Sequence, residues 1–197
     1  MHALTFVDAL AGERSEWRVA VRAGAVLFVA ALTAAAAQIS VPLPFTAVPF
    51  TFQPMVVLLG GLALGSKLGM TSQVLYLLAG IVGLPVFAAS ATLPPGALRL
   101  IGPTGGYLLA YAFAAFLTGY LAERGFDRRY ATSVVAMMAG LALVYLSGGT
   151  WLAVSTGMAA SAAFAAGVAP FIVADLLKLL AAAGILPACW KLLGRAG

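Results

Sequence analysis

Pro170-Phe-Ile-Val-Ala-Asp175-Leu-Leu-Lys178-Leu-Leu-Ala-Ala-Ala-Gly184 is an apolar run that carries one acid and one base. These two are the only charged residues between Arg129 and Lys191. On insertion scales a single Asp or Lys at the centre of a bilayer helix costs about 2.5–3.5 kcal/mol, so a chain that keeps both has a use for them. At a spacing of three they leave a helix on nearly one face. That face is expected to point into a protein-lined cavity and not toward lipid.

The rest of the chain explains why the run reads as membranous. Of its 197 residues 63% are hydrophobic and only 9% charged, with a mean hydropathy of +1.05, whereas soluble domains carry roughly 25% charged residues. The length suits about six spans of some 20 residues each, with no room for a second globular domain. The expected class is an all-α integral membrane protein, a compact bundle of six transmembrane helices. The spans are expected at about 19–38, 52–64, 68–87, 107–122, 131–146 and 170–190. Residues 1–17 read as an amphipathic cytoplasmic segment around Trp17, residues 18–190 as the bundle, and 191–197 as a cytoplasmic tail. Arg14, Arg18 and Arg22 precede an apolar run as in a signal peptide, but acidic Asp8, Glu13 and Glu16 are mixed among them.

The net charge of +5 does not indicate nucleic acid, because the basic residues cluster beside apolar segments. With six spans, one side holds Arg14, Arg18, Arg22, Lys67, Arg124, Arg128, Arg129, Lys191 and Arg195, nine of the eleven Lys and Arg residues. The other side holds Arg99 alone. This asymmetry puts both termini in the cytoplasm.

Three connections therefore gather at the outer face. Residues 39–51 hold Pro42, Pro44 and Pro49, a density that cannot continue a helix and predicts an extended, ordered, apolar loop. Residues 88–103 hold Pro94, Pro95 and Arg99, and Gly102-Pro-Thr-Gly-Gly106 opens span four. Ser147–156 reads as a turn-rich connection with Trp151 at an interface, and small residues 157–169 as the start of another helical turn. The sixteen residues from Asp175 to Lys191 rise about 24 Å, which in a core about 30 Å thick puts Asp175 in the outer third. The charged pair and the three loops meet at one depth.

Asp175 and Lys178 together offer a carboxylate acceptor and an ammonium donor, matching a small ligand with N–H and C=O edges such as a cyclic urea or amide. The other readings are a structural pair, whose i,i+3 attraction on a lone helix is only tenths of a kcal/mol, or a proton or ion relay. Gln53 could line the same cavity or sit as an interfacial polar residue. Arg99 could receive an anionic tail or snorkel toward water. Tyr76, Tyr107 and Tyr111 read as belt residues, with Tyr107, after the glycine turn, placed to stack on a ligand. Gly102–Gly106 lacks the Lys-Ser/Thr continuation of a phosphate loop. Cys189 and His2 carry no function in this reading, zinc and histidine catalysis lack their residues, and no cofactor is implied. Ala30/Ala34, Ala31/Ala35 and Gly61/Gly65/Gly69 form small-residue faces, for packing within the chain or docking to another membrane subunit, a homo-oligomer included.

Val48-Pro-Phe-Thr-Phe-Gln53, Leu75-Tyr-Leu-Leu-Ala-Gly-Ile-Val-Gly-Leu-Pro-Val-Phe87, Gly102-Pro-Thr-Gly-Gly-Tyr107 and Asp175-Leu-Leu-Lys178 follow one another in this order. Over about residues 20–190 the chain resembles the BioY family, the biotin-specific S components of energy-coupling factor (ECF) transporters. The resemblance implies a multi-pass plasma-membrane protein that is not an enzyme. It would take up biotin from outside under the loop between spans one and two. It also implies partners, a transmembrane coupling (T) protein and cytoplasmic ATPase subunits. By motif, Asp175 and Lys178 would contact the ureido end, with Gln53 and Tyr107 near the pocket. Pro94-Pro95 and Leu108 stand where the family has further polar residues, which leaves Arg99 for the carboxylate tail. The rival from another class is a stand-alone proton-coupled carrier in which Asp175 takes up the proton. An intramembrane hydrolase would need a nucleophile–base pair that the spans lack.

Overall fold

Gly65 sets the first turn of the bundle. With φ at 83° it ends helix α3 (Gln53–Leu64) and begins α4 (Ser66–Ile81) in a conformation that L side chains rarely adopt. The reversal is pinned from outside, because Glu123 Oε1 accepts from Ser66 N at 2.8 Å and from Ser66 Oγ at 2.6 Å. The first free N–H of α4 is thereby satisfied.

The computed structural model describes residues 4–12, 15–90 and 93–194. His2, Glu13, Arg14 and Arg195 lie outside the described residues, as does the side chain of Glu16. In chain order, the elements before α3 are α1 (Phe6–Ala11), α2 (Ser15–Gln38), β1 (Ser40–Val41) and β2 (Phe50–Thr51). After α4 come α5 (Leu98–Ile101), α6 (Gly105–Ala122), α7 (Tyr130–Thr156), α8 (Ala160–Gly167), α9 (Ile172–Ala183) and α10 (Ile185–Leu192). Among the described residues, four helical stretches are long and apolar enough to cross a membrane: Trp17–Gln38, Gly105–Ala122, Tyr130–Thr156 and Ile172–Leu192. Gln53–Leu64 is a shorter apolar helix.

Helix α6 is the centre of the bundle and packs against α3, α4 and α7. Its small residues Ala110, Ala114, Ala115 and Thr118 are buried. A Cβ at Gly61 would come within 2.5 Å of the Ala115 carbonyl oxygen, and one at Gly69 within 3.2 Å of the same atom. The Gly61 and Gly69 surface is thus used for packing inside the chain. On α2 the two alanine faces part: Ala30 and Ala34 pack on the core, while Ala31 and Ala35 are exposed beside Leu27, Phe28 and Leu32. The periphery is apolar elsewhere too, with Val135, Leu146, Val154, Val173 and Leu177 exposed. In water such a surface would be unstable; against lipid tails it costs nothing.

Several boundaries differ from the sequence expectation. Residues 147–156, expected as a turn, continue α7 without a break. Ser-Gly-Gly-Thr resembles a breaker, but Gly148 exists there to seat the Tyr107 ring, and Ser147 Oγ donates to Gly106 O at 2.9 Å. Helix α4 stops at Ile81, where Gly83 at φ 97° and Pro85 turn the chain, well short of residue 87. The last span is divided at Gly184, because Pro187 has no N–H to give the Ala183 carbonyl. Residues 160–167 are helical, in line with the turn expected there. At the N-terminus, α1 buries Val7 and Ala11 against the bundle and Arg22 clamps Asp8 at 2.6 Å, while Trp17 is an exposed residue of α2. At the same end Trp190 Nε1 donates to buried Asp127 at 2.6 Å, tying α10 to the 123–129 loop. Burial pushes that carboxyl above its ordinary range.

Candidate functional site

The loop with three prolines forms an antiparallel strand pair, Ser40 opposite Thr51 and Val41 opposite Phe50. This pair is the roof of the site, and Lys178 is its strut. From α9, Lys178 Nζ donates to the Thr51 carbonyl at 2.6 Å and lies 4.1 Å from the Phe50 ring centroid and 5.2 Å from that of Phe52. The same ammonium pairs with Asp175 Oδ1 at 2.5 Å. Two of its three hydrogens are thereby used.

Asp175 faces inward. Its neighbours Val173 and Leu177 are exposed, whereas Asp175 is 7% exposed and lies on the wall of a cavity of about 80 Å³. One water needs roughly 10–15 Å³ of such space, so the void admits more than a stray solvent molecule. Its second oxygen, Oδ2, accepts from the Tyr145 hydroxyl at 2.6 Å. A carboxylate with a partner on each oxygen keeps lone pairs for a further donor.

Gln53, Arg99 and Tyr107 lie on the same cavity wall. Gln53, in the first turn of α3 because Pro54 suits a helix start, donates from Nε2 to the Tyr76 hydroxyl at 2.6 Å and keeps its carbonyl oxygen. The Tyr107 hydroxyl donates to the Gly167 carbonyl at 2.8 Å, and its ring lies flat against Gly148, where any side chain would collide. Arg99, on α5, is 8% exposed and gives Nε to the Pro94 carbonyl at 3.1 Å. Among the described residues its two terminal nitrogens have no hydrogen-bond partner. The Gly102–Gly106 turn that seats α6 is held by Trp151 Nε1 on Gly102 O at 2.8 Å.

The structure thus brings Gln53, Arg99, Tyr107 and Asp175 to one cavity and sets Lys178 behind Asp175, off the wall. Two tyrosines join them. Tyr145, unnoticed in the sequence, orients Asp175; its only signal is a hydroxyl well inside an apolar stretch. Tyr111, read above as a belt residue, lines the cavity instead, and among the described residues its hydroxyl has no partner. The arrangement holds an acceptor, a cationic donor and unsatisfied hydroxyl and amide groups around an apolar void. It is equipped to bind a small polar molecule.

A roofed void with polar groups on its wall, among helices of membrane length, is the construction of a membrane-embedded solute-binding protein. The comparisons give that class a family: the BioY family model matches residues 13–195, and the chain belongs to the BioY family. It is a multi-pass membrane protein. It is 45% identical over 152 residues to a Pyrococcus horikoshii protein named "Probable biotin transporter BioY", covering 77% of this chain and 85% of that one. It is 39% identical over 153 residues to the "Biotin transporter BioY" of Thermotoga maritima, covering 78% and 86%. With the Rhizobium etli protein of the same name it shares 34% over 178 residues, covering 86% and 88%. The fold matches a crystal structure at 2.1 Å of the S-component for biotin from an ECF-type ABC transporter. The TM-score is 0.80 at 24% identity, covering 91% of this chain and 95% of that one.

Proposed function

We propose that this chain is the high-affinity biotin-binding membrane subunit of a vitamin uptake transporter. It takes biotin from the outer side and delivers it inward with an ATP-driven module, a transmembrane coupling protein with ATPase subunits. The observation that carries this reading is the buried Asp175 carboxylate aimed into a cavity that also presents Arg99. Biotin has a ureido head with two N–H donors and a carboxylate tail, and the cavity offers an acceptor for the first and a cation for the second. Lys178, behind the wall, would serve the ureido site through Asp175, whose charge it balances, and through the roof it holds; Gln53 and Tyr107 would complete the wall, and Tyr111 would add a hydroxyl. We take the chain as one membrane domain of six spans, α2, α3, α4, α6, α7 and α9 with α10. Both termini are on the cytoplasmic side, as the distribution of Lys and Arg argues.

Calorimetry on the purified full chain tests the reading: saturable binding of one biotin per chain is expected, and no heat or displacement at high micromolar biotin rejects it. Within the pocket, Arg99→Gln is expected to weaken biotin binding about 10–150-fold, the range of a lost hydrogen bond to a charged group. Biotin methyl ester, which has no tail charge, should bind the variant and the parent within about threefold of each other, since only the charge-assisted part of the contact is lost. Equal losses for acid and ester would remove Arg99 from the tail site. Tyr145→Phe frees Asp175 Oδ2, so a loss of about 5–10-fold is expected from one missing hydrogen bond. Unchanged affinity would show that the carboxylate needs no help in holding its orientation.

A further inference from the structure

At the end of the bundle away from the cavity, α4 and α6 leave a groove between them, lined by Lys67, Met70, Thr71, Val74 and Phe116. On α4, Lys67, Met70 and Val74 follow the spacing of one helix face. On α6, Phe116 and Tyr120 are four apart, and Arg124, in the turn just past the end of the helix, continues their line by folding over Tyr120. The Phe116 and Tyr120 rings stack with centroids 6.3 Å apart, and the Arg124 guanidinium carbon lies 3.3 Å above the Tyr120 ring. The Ser66–Glu123 hydrogen bonds fix the level of the two stripes. Lys67 follows Ser66 and Arg124 follows Glu123, so both cations stand at the same end of the groove.

Among the described residues the Lys67 ammonium has no hydrogen-bond or ion-pair partner. Arg124 gives Nη1 to the Tyr120 carbonyl at 2.9 Å and is exposed. Glu123, the nearby acid, turns its Oε1 to Ser66, and with the two cations the corner keeps a net positive charge. An apolar trough that ends in two cations has the polarity of a phospholipid with an anionic head. A water-soluble phosphate would leave the Met70, Val74 and Phe116 walls uncovered, whereas a neutral apolar molecule would leave Lys67 unanswered.

The geometry points to a bound anionic phospholipid: one acyl chain in the α4–α6 groove against Met70, Val74 and Phe116, with its head-group phosphate taken by Lys67 and Arg124. This site is separate from the biotin pocket and does not depend on what that pocket binds.

The test is native mass spectrometry of the delipidated full chain in detergent, given phosphatidylglycerol or phosphatidylcholine at equal concentration. One retained phosphatidylglycerol per chain is expected, with phosphatidylcholine held at least about fivefold more weakly, roughly the effect of one basic residue at an anionic surface. Lys67→Gln and Arg124→Gln should each cost about fivefold in phosphatidylglycerol retention. Val74→Trp, which fills the trough and leaves both cations, should release the lipid as well. Circular dichroism at parental helicity accompanies each variant, and because Lys67 is exposed its variant decides the matter even if Val74→Trp misfolds. Equal retention of the two lipids, parental retention in Lys67→Gln, or displacement by glycerol phosphate alone would each overturn the assignment.

Discussion

Asp175→Ala is expected to lower biotin affinity about 1000-fold, with the helical content of the protein intact. Truncating one member of a buried, hydrogen-bonded charge pair costs about 2–5 kcal/mol, and each 1.4 kcal/mol is tenfold. Three consequences add here. The ureido N–H groups lose their acceptor, Tyr145 loses the oxygen at 2.6 Å that it serves, and Lys178 keeps its charge beside an alanine. Asp175→Asn separates the terms, because the amide retains one oxygen of similar shape but lacks the charge. A smaller fall, about 50-fold, is expected for it, since it keeps an acceptor but presents an N–H to Lys178 or Tyr145. Calorimetry measures the affinities, and gel filtration with circular dichroism checks folding. Parental affinity in both variants would mean that the ligand is held elsewhere.

What could be read from the chain before the structure follows a physical division. The inward face of α9 was legible because an acid and a base in an apolar run have only one tolerable direction, and Asp175 takes it. The ordered roof was legible because Pro42, Pro44 and Pro49 exclude helix, and the Gly102–Gly106 turn because glycine and proline punctuate an apolar run. The α7 extension was not legible. Ser147-Gly-Gly-Thr would favour a turn in water, where exposed backbone finds solvent, but inside a bundle the helix keeps its own hydrogen bonds and Gly148 makes room for Tyr107. Tyr145 and Tyr111 were missed because their roles depend on register between helices. The Tyr145–Asp175 bond joins residues 30 apart, and the bond from Lys178 to Thr51 spans 127. Periodicity along one helix carries no information about such pairings.

That last bond is the basis of the second large effect. Lys178→Met, which keeps the stem and removes the charge, is expected to weaken biotin binding about 300-fold, and most of the change should fall on the dissociation rate. Lys178 is held from two sides, by Asp175 on its own helix and by the Thr51 carbonyl of the roof, with the Phe50 and Phe52 rings beside it. Removing it leaves Asp175 buried without its counter-charge and unlatches β2 from α9 at the same stroke. If Lys178 acted only as the partner of Asp175, the double variant Asp175→Asn/Lys178→Met would be no worse than the worse single variant, since each would already have broken the same pair. If it also holds the roof, the double variant should release biotin faster than Asp175→Asn alone, because the Thr51 contact is independent of the carboxylate. Stopped-flow displacement of biotin from the four proteins of this cycle distinguishes the cases. A dissociation rate for Lys178→Met equal to that of the parent would break the link between the charged pair and the roof, and with it the account of why a lysine is kept inside this helix.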